Sequence, residues 1–128
     1  KVARDVSEEL VVRAEAVAAR AYAPYSNYHV GAVVSTTDGH EFEGVNVENA
    51  AYPLGVCAEK SALVAAVVAG YGPGSIAAIG INASPCGGCR QWLHEFQIPE
   101  VSFRRADGSI ATYAADELLP DTWDLPDR

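Results

Sequence analysis

The sequence predicts an α/β fold: a single mixed β-sheet of about five strands covered by helices. Three observations support this. Segments with helical and with strand periodicity alternate through the middle of the chain, in the order α-β-β-α-β-α-β-β, which favours one sheet with helices packed on it. The 128 residues, 49% hydrophobic and 20% charged, suit one globular domain spanning 1–128. No repeat, linker or low-complexity tract divides them.

Residues 5–22 carry Leu10, Val11, Ala14, Val17, Ala18 and Ala21 at helical spacing. Ser7 is placed to cap this helix. Glu8 and Glu9 sit where the helix dipole favours negative charge, and Pro24 is the expected stop. Val30–Thr36 and Glu41–Asn46 read as strands joined by the turn Thr37-Asp38-Gly39. Asn46–Gly55 reads as a loop. Cys57–Ala69 holds strong helix formers with no breaker before Gly70. Ile76–Ile81 is a short apolar strand. Ser84-Pro85-Cys86 opens a helix reaching to about Phe96, with Pro85 suited to its first turn. Val101–Arg104 and Ile110–Tyr113 flank the hairpin signal Asp107-Gly108. Asp116–Leu119 suits one helical turn before Pro120, and the acidic tail 121–128 is expected to be loose at its end.

Nine Lys and Arg against 17 Asp and Glu give a formal charge of −8. That balance argues against gripping a nucleic acid by its phosphates, while leaving room for a small nucleoside. No apolar run approaches the roughly 18 residues of a membrane span. No basic stretch followed by an apolar one opens the chain, so no secretory signal is legible and a cytoplasmic location is expected.

The chemistry concentrates in Cys57-Ala58-Glu59 and Pro85-Cys86-Gly87-Gly88-Cys89. The chain's three cysteines are all here. Cys86 and Cys89 are three apart at a helix start, on one face; Cys57 opens another helix. If the two helix starts meet, three sulfurs converge on one metal ion. Zinc takes thiolates tetrahedrally, and three protein ligands with an open fourth position are the catalytic pattern. The helix starts are expected to lower the thiol pKa values. Lys60 and Arg90 directly follow Glu59 and Cys89 and are candidate partners to the sulfurs. Glu59, beside the metal but not on it, is suited to move a proton between water and a leaving group. Without catalysis, the same cysteines suit a structural zinc module.

These motifs resemble those of the small homotetrameric zinc-dependent cytidine deaminase family. The resemblance runs through Pro24-Tyr25-Ser26-Asn27-Tyr28-His29-Val30-Gly31-Ala32, Asn46-Val47-Glu48-Asn49-Ala50-Ala51-Tyr52, Cys57-Ala58-Glu59, Ser84-Pro85-Cys86-Gly87-Gly88-Cys89-Arg90-Gln91 and Glu117-Leu118-Leu119-Pro120. It implies an α/β/α sandwich and one zinc per subunit on Cys57, Cys86 and Cys89. Glu59 would shuttle the proton as cytidine or 2′-deoxycytidine loses ammonia, a step of pyrimidine salvage. It further implies that Asn46 and Glu48 bind the ribose, the Ala58 N–H holds the base carbonyl, and the Ser84 carbonyl accepts from the amino group. Tyr28 would stack on the base. Trp123 occupies about the place of a C-terminal aromatic that covers the base in a neighbouring subunit, so the sites of a homotetramer would be shared. Lys60 stands where the family usually has Arg, Tyr28 and Trp123 where it usually has Phe, and the segment Gly80–Ser84 is shorter than usual. Deaminases of a cytosine-containing antibiotic such as blasticidin S share the cysteine motifs and are the alternative within the same chemistry.

Overall fold

The computed structural model describes residues 6–125. Five strands form one mixed sheet: β1 (Gly31–Thr36), β2 (Glu41–Val45), β3 (Ile76–Ile81), β4 (Glu100–Arg104) and β5 (Ile110–Tyr113), in the spatial order β2-β1-β3-β4-β5. Only β3 and β4 run parallel; β1–β2, β1–β3 and β4–β5 are antiparallel. Four helices accompany them: α1 (Val6–Ala18), α2 (Ala58–Val68), α3 (Gly87–Glu95) and the single turn α4 (Ala115–Leu118).

Strand alternation sorts the helices onto the two faces. Val33 and Ala78 point to one side, against Leu10, Ala14 and Val17 of α1. Ala32, Val34, Ile79 and Ile81 point to the other, where they join Ala58, Ala62, Leu63 and Ala66 of α2 and Leu93 of α3. The result is the expected mixed sheet between helical layers. Both hairpins turn where expected, with Gly39 (φ 91°) and Gly108 (φ 90°) supplying the left-handed residue.

Several boundaries differ from the sequence reading. The first helix stops at Ala18 instead of running to Tyr22 and Pro24. Tyr22 is drawn out of it by pairing: its N–H donates to the Asn46 carbonyl (3.1 Å), and its carbonyl accepts from Glu48 N–H (2.8 Å). The expected start at Asp5 lies outside the described residues, as do the last three residues of the tail. Ser7 is no cap, because it lies inside α1; its hydroxyl donates to Glu100 at the start of β4 (3.2 Å). Pro85 precedes the N-cap of α3, Cys86, and so sits ahead of the first turn. The last helical turn begins one residue early, at Ala115, with the Ala114 N–H donating to the Glu117 carboxylate (2.8 Å).

Three glycines set how closely the helices approach the sheet, and a Cβ on Gly31 would lie 2.2 Å from the Ala14 carbonyl oxygen of α1. A Cβ on Gly80 would lie 2.5 Å from Leu10 of α1, and one on Gly44 would lie 2.3 Å from the Ala62 nitrogen of α2. Gly44 matters most here, because α2 carries the candidate site at its first turn. Gly44→Ala is expected to cost at least about 1–3 kcal/mol of stability, the usual range for overpacking. A shift of the urea midpoint to lower concentration checks it.

Candidate active site

The site lies where α2 and α3 begin, beyond the C-terminal end of β3. This is where ligands bind in open α/β sheets. Cys57 is the N-cap residue of α2 and Cys86 that of α3, both with extended backbone. Cys89 is one turn into α3 and fully buried. Its N–H donates to the Cys86 sulfur at 3.5 Å. The three Sγ atoms lie within 4.8 Å of one another. Among the described residues no other set of His, Cys, Asp or Glu converges in this way.

The donor set fits zinc. Thiolates about 2.3 Å from a tetrahedral zinc are about 3.8 Å apart, so these sulfurs need only a small inward movement. The electrostatics point the same way. Burial pushes the Cys57 thiol up, and the neighbouring Cys86 and Glu59 charges add to it. Burial pushes Cys89 much further, reinforced by Glu59 and Cys57. Cys86 alone comes out lowered: burial raises it, but the Cys89 N–H and the Cys89 and Cys57 thiols outweigh that. The expectation that helix starts would lower all three thiols is therefore corrected. Desolvation is the largest cause at Cys57 and Cys89, and a bound cation would reverse it.

Glu59 lies one helical position past Ala58 and is 4% exposed. Burial raises its pKa above the ordinary carboxylate range; its own N–H, the Cys89 thiol and the Lys60 charge pull the other way. A carboxyl shifted towards neutrality beside a metal site is suited to proton transfer.

Glu59, Cys57, Cys86, Ala58, Ser84, Asn46 and Tyr28 line one hollow of about 210 Å³, together with Val30 and Ala83. Glu48 is not in it. Glu48 lines a second hollow of about 210 Å³ with Val47, Asn49 and Tyr52, and the two hollows share Asn46 and Cys57. Among the described residues, no Lys or Arg lines either hollow.

Asn46 and Glu48 spend much of their hydrogen bonding on the chain itself. Asn46 Oδ1 accepts from Val30 N–H (2.8 Å) and its Nδ2 donates to the Tyr28 carbonyl (2.8 Å). Glu48 Oε1 accepts from Tyr25 N–H (2.9 Å) and Ser26 N–H (3.1 Å), and Oε2 accepts from the Ser26 hydroxyl. These bonds hold the irregular segment 24–30 that presents Tyr28, which is 61% exposed. Asn82, which the sequence reading passed over, completes the set: it accepts from Gly31 N–H (3.0 Å) and donates to the His29 carbonyl (3.1 Å). An Asn directly after an apolar strand is the signal that was available.

Lys60 and Arg90 do not turn to the sulfurs. The Lys60 ammonium lies 5.8 Å from the Trp92 ring centre, within cation–π range, tying α2 to α3. Arg90 donates from Nε to the Pro85 carbonyl (2.9 Å), from one terminal nitrogen to the Leu118 carbonyl (3.1 Å) and from the other to the Ser84 hydroxyl (3.2 Å). It fastens the Ser84–Cys86 loop to the end of α4. Trp123 is 69% exposed and lines neither hollow of its own chain.

Residues 4–105 match the family model for the cytidine and deoxycytidylate deaminase zinc-binding region. The chain belongs to that family. It is 35% identical over 129 residues to the cytidine deaminase of Sporosarcina psychrophila, covering 94% of this chain and 93% of the relative. The crystal structure of cytidine deaminase from Burkholderia pseudomallei superimposes with a TM-score of 0.86 at 43% identity, covering 93% of this chain and all of that one. Cytidine deaminase from Mycobacterium tuberculosis gives a TM-score of 0.81 at 33% identity, over 95% of this chain and all of that one.

Zinc is the metal these residues suit. Replacing Cys57, Cys86 or Cys89 singly with Ala is expected to lower bound zinc well below one per chain. Metal analysis of the purified variants after dialysis checks this.

Proposed function

We propose that this protein deaminates free cytidine and 2′-deoxycytidine hydrolytically, releasing ammonia and the corresponding uridine nucleoside. The observation that carries the proposal is Glu59, buried against three converging sulfurs at the base of a hollow that has neutral polar and aromatic groups at its rim.

Zinc, when bound, supplies Lewis-acid activation of water near neutral pH. The rest falls to the chain. The Glu59 carboxylate takes a proton from the attacking water and passes it to N3 of the ring, then takes the remaining hydroxyl proton and gives it to the departing amino group, so the C–N bond at C4 breaks as C=O forms and ammonia leaves. The Ala58 N–H is one of the unpaired amides of a helix start and is free to hold the base carbonyl. The Ser84 carbonyl accepts from the amino group, and Tyr28 packs on the ring. The hollow beside Glu59 is below the about 300–1,000 Å³ of a drug-sized site and suits one ring. The sugar then occupies the adjoining hollow, reached by Asn46 and Glu48. Among the described residues neither hollow holds a Lys or Arg and one holds the Glu48 carboxylate, which favours a nucleoside over its 5′-phosphate.

In this reading residues 1–128 form one catalytic domain that works in the cytoplasm, in pyrimidine salvage, as a homotetramer with shared sites. Val64, Val67 and Val68 support the assembly: they stand at i, i+3 and i+4 on α2 and form an apolar stripe turned to solvent in the single chain. No helix among the described residues is long and apolar enough to cross a membrane.

The zinc-loaded protein is expected to release ammonia from cytidine and 2′-deoxycytidine, and far more slowly from cytidine 5′-monophosphate, cytosine and blasticidin S. The same preparation is expected to scatter light at four times the 13.5 kDa chain mass. Turnover confined to blasticidin S contradicts the substrate. Silence across the panel with zinc bound contradicts the activity.

A further inference from the structure

The C-terminal segment holds a large aromatic side chain in the open. Trp123 is 69% exposed, yet the residues on either side of it are both fastened to one group. His94 Nε2 lies 3.1 Å from Asp124 Oδ1 and 3.1 Å from Thr122 Oγ1; its Nδ1 lies 3.2 Å from Asp116 Oδ1 of α4. A hollow of about 540 Å³ is bounded by His94, Glu95, Gln97, Asp116, Asp124 and Leu125. Leu118 anchors α4 in the core, and beyond it the imidazole holds the segment through Thr122 and Asp124.

The chemistry of the ring makes this contact conditional. A neutral imidazole has one N–H and one lone pair. With a carboxylate at each nitrogen, the neutral ring sets a lone pair against a carboxylate on one side. Only the imidazolium donates to both. Among the described residues, the titratable groups around it are Asp116 on α4, Asp124 on the tail and Glu95 on its own helix, all acidic. Asp124 first, then Asp116, raises the His94 pKa against the lowering effect of burial. The contact is thus complete below the ordinary histidine pKa of about 6.5 and is lost as pH rises through the raised value.

We propose that His94 is a positioning residue: as an imidazolium it clamps the segment from Asp116 to Asp124 and so presents Trp123 to the substrate hollow of a second copy of this chain. The proposal rests on the shared-site reading given above. Two features support that recipient. Among the described residues, none after Cys86 lines the chain's own hollow, and Tyr28 there is 61% exposed, so one side of a bound ring is left uncovered. His94 also lies one turn beyond Arg90, which holds the Leu118 carbonyl, so α3 fixes both ends of the α4-to-tail segment.

The test uses His94→Gln, a neutral side chain unable to bridge both carboxylates, and Asp124→Asn, which removes only the exposed tail partner. Two readings are taken. Trp123 fluorescence anisotropy, measured in a Trp92→Phe background where it is the sole tryptophan, reports the clamp whatever the substrate. It is expected to fall in both variants, and to fall in the parent protein as pH is raised through the His94 transition. Steady-state kinetics report the presentation. KM for cytidine is expected to rise about three- to tenfold with kcat little changed, the scale of a typical net hydrogen bond that orients a binding group. The parent KM climbs with pH, whereas the His94→Gln KM is already high and flat. Unchanged anisotropy in both variants overturns the clamp. Lowered anisotropy with unchanged KM overturns the presentation. A parent protein that binds zinc but leaves cytidine untouched contradicts the proposed substrate, and the clamp is still decided by anisotropy.

Discussion

Three thiols and a carboxyl packed together, with burial opposing their ionisation, form an arrangement that a bound cation would stabilise. Cys57, Cys86, Cys89 and Glu59 are acidic groups that repel one another once charged, and burial penalises each of them further. A divalent metal on the sulfurs removes the conflict. The fold around them is organised to hold that unfavourable set in place, which is a reason to expect strain here and not in the sheet.

The sheet does so by bringing two helix starts together. β3 feeds through the Ser84–Cys86 loop into α3, and α2 lies against β2 at a distance that Gly44 permits. Because Cys57 and Cys86 are N-cap residues, their positions follow from where the helices begin. α3 then carries a succession of duties along one rod: Cys86 and Cys89 at its start, Arg90 fastening the loop to α4, Trp92 under the Lys60 ammonium, and His94 at the tail. The site and the C-terminal segment are therefore parts of one mechanical unit.

Much of this was legible in the sequence, for physical reasons that differ by residue. The cysteines stood at helix starts marked by Pro, Gly and strong helix formers, and spacing of three on a helix fixes a common face. The alternation of strand and helix patterns led to the mixed sheet. Lys60 and Arg90 were misread because adjacency in sequence says little about direction on a helix, where successive side chains diverge by about 100°. Arg90 found backbone carbonyls and Lys60 an aromatic face instead of sulfur. The end of α1 was hidden because Tyr22 leaves the helix for a partner, Val47, that is distant in sequence. Asn82 was overlooked because its role, holding the backbone at His29 and Gly31, depends on β1 and β3 being neighbours.

In the proposed function Glu59 carries the proton while the sulfurs carry the metal. Glu59→Gln separates the two, since the amide keeps the shape but cannot accept and return a proton. Zinc content and cytidine turnover should be measured on the same sample of this variant. The account predicts zinc at the parent level with turnover reduced by at least about a hundredfold, the scale of general acid–base catalysis. Turnover near the parent rate with zinc retained would contradict it.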